Sequence, residues 1–151
     1  MNNTYFEQVP VVGDLKLDFI ILEERCPILF TCIDKSDNLY ICDCCDPWAG
    51  EWLIASTTIE RLYGMFNNEI TMRGMFACAK GICFVAKWNK DGTKKEFEII
   101  QDGGFCEEDL PWLNSFYDTD EDEMPELQEY IDVCRIRLKN KMHERVKYEK
   151  N

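Results

Sequence analysis

The chain has 151 residues, 46% hydrophobic and 13% aromatic, with a formal net charge of −12 and a pI near 4.5. That length fits one domain, and the apolar content supports a folded core without disulfides or metal, which excludes a disordered chain. So acidic a chain lacks the basic face that phosphate neutralisation needs, so direct nucleic-acid binding is not expected, and a basic protein surface is the complementary partner.

The N-terminus, MNNTYFEQVP, has no basic stretch followed by an apolar one, so no signal peptide is read. No apolar run is long enough to span a bilayer. A cytoplasmic location is expected, with the nine cysteines as free thiols.

The first strands are predicted at 15–22 (LKLDFIIL), 27–34 (PILFTCID) and 39–44 (LYICDC), with KSDN at 35–38 as a polar turn. Pro47 and Gly50 punctuate a loop before a fourth strand, EWLIAS, at 51–56. A helix follows, capped by Ser56, Thr57 or Thr58, with Thr57 and Glu60 at capping-box spacing. Ile59, Leu62, Tyr63 and Phe66 share its apolar face, and Asn67-Asn68 ends it. Residues 69–76 add a helical turn. Strands at 82–88 and 94–100 flank NKDGT, where Asp91-Gly92 signals a hairpin. A long helix is predicted from about 122 to 148, on the stripe Leu127, Ile131, Cys134, Leu138 and Met142. The fold class is therefore α+β in a single domain, 1–151: an antiparallel sheet of about six strands, one short helix and one long C-terminal helix.

The segment CDCCDPW raises the question of a metal or redox site. Cys42 and Cys45 form a C-x-x-C pair, but a structural zinc needs four ligands, and the best second pair, Cys78 and Cys83, is loosely spaced. In an extended strand Cys42 and Cys44 face one way, Asp43 and Cys45 the other. The neighbouring aspartates raise thiol pKa values and argue against redox chemistry. Buried free cysteine as a small apolar residue is the simpler reading, and no cofactor or metal is expected. The single histidine, His143, sits in a charged helix, and no phosphate-binding glycine motif occurs. No catalytic constellation assembles, so the chain is not read as an enzyme.

Charge is unevenly spread. Residues 105–129 hold ten acids and no Lys or Arg, whereas bases predominate over 135–150. Acids at a helix start and bases at its end suit the macrodipole, but the DTDEDE run exceeds what a cap uses. Trp112, Phe116 and Tyr117 precede it. Together with Asp118, Asp120, Glu121, Asp122 and Glu123 they form a candidate partner-binding strip, aromatics for contact energy and acids for steering. The alternative is that the aromatics pack the loop onto the core.

Trp52, Leu53, Leu62, Asn68, Ile70, Arg73 and Phe76 lie within a pattern over residues 13–76 that resembles a family of small uncharacterised bacterial and phage proteins. The resemblance implies structural positions only. The function read from the sequence is a non-catalytic acidic protein-binding module of inhibitor or adaptor type. Its narrowest form is a phage-encoded inhibitor occupying the basic groove of a nucleic-acid-binding bacterial defence protein. The alternatives are a cysteine-ligated zinc-binding structural protein and an enzyme with an Asp/Glu/Cys site that sequence does not display.

Overall fold

The structure is a computed structural model, and it describes residues 3–111, 128–137 and 139–140. Seven strands form one sheet in chain order: β1 (Thr4–Val9), β2 (Gly13–Glu24), β3 (Cys26–Ile33), β4 (Leu39–Asp46), β5 (Glu51–Thr57), β6 (Ile82–Trp88) and β7 (Lys95–Gln101). Every neighbouring pair is antiparallel. Register shifts interrupt both the β1–β2 and β2–β3 pairs. Such bulges increase local twist and bend a strand, which lets the sheet curl. The curl brings β1 beside β7 and gives a nearly closed barrel. The two end strands are joined by side chains: the Phe6 and Phe97 rings lie 6.1 Å apart, and Lys95 Nζ donates to the Tyr5 carbonyl at 3.2 Å.

Strand alternation sorts the core into two layers. Phe6, Leu15, Phe30, Tyr40, Cys42, Cys44, Ile54 and Phe84 fill the barrel interior. Leu29, Ile41, Leu53, Ala55, Cys83 and Val85 point outward beneath two short helices, α1 (Ile59–Phe66) and α2 (Met72–Ala77). The central strands are thus apolar on both faces, which explains their near-continuous hydrophobic runs. Thr58 caps α1 by accepting from Arg61 N at 3.2 Å, so Thr57 belongs to β5 and the predicted capping box is not used. Thr71 caps α2 in the same way, accepting from Gly74 N at 2.9 Å.

The expected fold class is corrected. Seven strands replace about six, because TYFEQV forms β1, and the molecule is chiefly a curled antiparallel sheet with few short helices. Among the described residues no helix of the length expected from 122 to 148 is present. Residues 128–137 and 139–140 are helical, and the rest of the predicted span lies outside the described residues. The helical segment packs through Tyr130, whose ring stacks on Phe19 at 4.2 Å and whose hydroxyl donates to Asp18 at 2.8 Å. Arg137 adds a 3.7 Å ion pair to the same carboxylate. No described helix is long and apolar enough to cross a membrane.

The predicted Asp91-Gly92 hairpin is wider than a two-residue turn. Strands end at Trp88 and resume at Lys95, and the Asn89 side chain braces the loop through Thr93 N and Oγ1, each at 3.0 Å.

Candidate functional site

The cysteine-rich strand ends in an irregularity, and alternation along it separates its thiols. Up to Cys44, β4 alternates regularly against β5, but the register shifts between Cys44 and Asp46. Cys42 and Cys44 stay inside the barrel, while Cys45 joins the outer layer. The predicted divergence of Cys42 and Cys45 is what the structure has. Across the turn, Glu51 opposes Asp46, and the Cys45 thiol donates to the Glu51 carbonyl at 3.5 Å.

A third segment completes the cluster. The 3₁₀ turn Glu107–Asp109 lies over this end of the sheet, held by Arg73, which donates to Glu107 Oε1 at 3.1 Å and to the Pro111 carbonyl at 3.3 Å. One ligand atom each from Cys45, Glu51 and Asp109 lies within 4.8 Å of the others. Cys45 and Asp109 border a cavity of about 380 Å³ whose wall also includes Asp43, Glu108, Leu22 and Met72.

Electrostatics in this pocket are one-sided. Asp43 stands between Leu29 and Leu53 in the register, and burial pushes its carboxyl up to about 6. Burial, reinforced by the Glu51 and Asp109 carboxylates, pushes the Cys45 thiol up to about 12. Burial also raises Cys42, Cys44, Cys83 and Cys134. A thiol held protonated is a poor nucleophile.

The turn between β4 and β5 presents a second feature. Asp46 Oδ1 accepts from Trp48 N at 3.1 Å and Ala49 N at 3.0 Å, and the Asp46 carbonyl accepts from Gly50 N at 2.8 Å. Gly50 has φ +75°, and a Cβ there would collide with the Trp88 indole. The turn is therefore tightly braced, yet it holds Trp48 90% exposed. Trp88 beside it is 43% exposed, and Asp46 and Glu51 flank the turn.

The predicted partner-binding residues, Trp112, Phe116, Tyr117, Asp118, Asp120, Glu121, Asp122 and Glu123, lie outside the described residues. Of the bases that follow them, Arg135 pairs with Asp132 at 3.8 Å and Arg137 with Asp18. Sequence reasoning placed Asp109 only within an acidic run. Its meeting with Cys45 is a tertiary event, and no local signal announces it. Trp48 was legible as part of the punctuated loop, but its exposure was not.

No family model, no curated protein and no solved structure matches this chain.

Proposed function

We propose that this chain is a non-catalytic, acidic protein-binding module of inhibitor or adaptor type. The observation that carries the reading is Trp48: a tryptophan, 90% exposed, fixed on a braced turn and flanked by acids. Tryptophan is among the residues that dominate binding energy at interfaces, and a side chain presented on a rigid backbone loses little freedom on docking. The net charge of −12 supplies long-range attraction to a basic partner and speeds encounter. The narrower form, an inhibitor that occupies the basic groove of a nucleic-acid-binding bacterial defence protein, rests on this charge. An enzymatic reading would centre on Cys45, Glu51 and Asp109, but the raised thiol pKa opposes nucleophilic use of Cys45.

The test is affinity capture from the source organism with wild-type and Trp48→Ala baits, followed by binding kinetics on the purified partner. Trp48→Ala should accelerate dissociation at least tenfold without changing thermal stability, and rising salt should slow association. A partner indifferent to both changes would remove the reading.

A further inference from the structure

We infer that Cys45, Glu51 and Asp109 form a binding site for one thiophilic divalent cation of the zinc class. This goes beyond the protein-binding reading and is independent of it. Three separate segments deliver the ligands: the bulged end of β4, the start of β5 and the 3₁₀ turn over them. Their ligand atoms lie within 4.8 Å of one another. Around a tetrahedral zinc, with bonds of about 2.0–2.3 Å, such atoms stand roughly 3.4–3.7 Å apart. Closing on the ion therefore asks for about 1 Å of side-chain adjustment.

The surroundings point to a cation rather than to an incidental group of acids. The cavity wall carries the Asp43, Glu108 and Asp109 carboxylates and the Cys45 thiol, with no Lys, Arg or His among its lining residues. Asp43 has no hydrogen-bond or ion-pair partner among the described residues, although it sits between two leucines. The frame is organised without metal, because Arg73 holds the turn that bears Asp109, and Asp46 holds the turn that joins Cys45 to Glu51. A sulfur ligand selects zinc, cobalt or cadmium over magnesium or calcium. On binding, the Cys45 S–H bond breaks, its proton passes to solvent and the sulfur bonds the metal. This set differs from the C-x-x-C reading: Cys42 faces the barrel interior and takes no part.

The experiment is titration of the reduced, chelator-treated full chain with Co²⁺, followed by thiolate-to-cobalt charge-transfer absorption, with Zn²⁺ as competitor. One equivalent should bind, give the band and be displaced by Zn²⁺. Cys45→Ser should abolish the band. Asp109→Asn and Glu51→Gln should each weaken Co²⁺ binding at least tenfold while leaving the metal-free melting temperature unchanged. A wild-type chain without the band, a band that survives Cys45→Ser, a band lost in Cys83→Ser, or an affinity untouched by both carboxylate variants would each overturn the assignment. The wild-type measurement decides even if a variant fails to fold.

Discussion

The Lys95 ammonium lies 4.6 Å from the ring centroid of Trp52, at the seam where β7 meets β1. The rings of Tyr5, Phe6 and Trp88 surround the same nitrogen at 4.8, 4.9 and 5.3 Å. Burial lowers the Lys95 pKa from 10.5, so the cation resides there against a desolvation cost. The rings and the Tyr5 carbonyl offset that cost, and the alkyl stem fills the gap between strands that share no ladder. Lys95→Ala should lower stability by about 1–3 kcal/mol. Lys90→Ala, at an exposed loop position, should change it by less than about 0.5 kcal/mol. Denaturant titration of both variants checks the contrast.

Asp43 gives a pH-dependent prediction. Its pKa in the folded chain, about 6, lies above the ordinary 3.8, so the folded state holds the proton more tightly. Its favourable contribution is complete below about pH 4 and is lost as pH rises through about 6. The shift corresponds to at most about 3 kcal/mol. In chelator, Asp43→Asn should be more stable than wild type at neutral pH by up to that amount, and the gap should close as pH falls to about 4. Equal stability of the two proteins at neutral pH would show that the carboxylate reaches water.

Val11 occupies a backbone conformation that suits it badly. Its φ is +71°, and Val12 N bonds back to the Pro10 carbonyl at 2.8 Å, closing a three-residue turn. This is the rare, strained γ-turn, and a β-branched side chain worsens it. The side chain is 76% exposed and contributes little packing. Val11→Gly should therefore leave stability unchanged or raise it by up to about 1 kcal/mol, where a glycine in an ordinary strand would cost a similar amount. Thermal melts read the sign.

Leu62 is fully buried on the inner side of α1, packed into the outer layer. Leu62→Ala should cost about 2–5 kcal/mol. Glu69, exposed just beyond the same helix, should tolerate Glu69→Gln within about 0.5 kcal/mol. Chemical denaturation of the pair measures how much the outer layer depends on this helix.

Local pattern carried much of the architecture. Alternation in LYICDC correctly separated Cys42 and Cys44 from Asp43, and the apolar spacing of residues 59–66 located α1. β1 escaped because its pairing with β2 is broken twice and Gln8 sits at φ +54°, so no clean alternation develops. The C-terminal stripe named Cys134, which is buried, but missed Tyr130, whose contacts with Phe19 and Asp18 lie more than a hundred residues away in sequence. The acid–thiol pocket was illegible for the same reason. Alternation places Cys45 on the outer face as expected, but Asp109 meets it there through a 3₁₀ turn far along the chain that Arg73 anchors.

The seam between β1 and β7 also divides the molecule in time. Strands β3 to β6 have hydrogen-bonded neighbours on both sides and apolar cover on both faces, so their amide protons should exchange with solvent only when the whole domain unfolds. The outer edges of β1 and β7 face only side chains, and their amides are free to exchange through small local openings. The barrel is thus a permanent inner staircase with a hinged outer pair, and Lys95 is the latch.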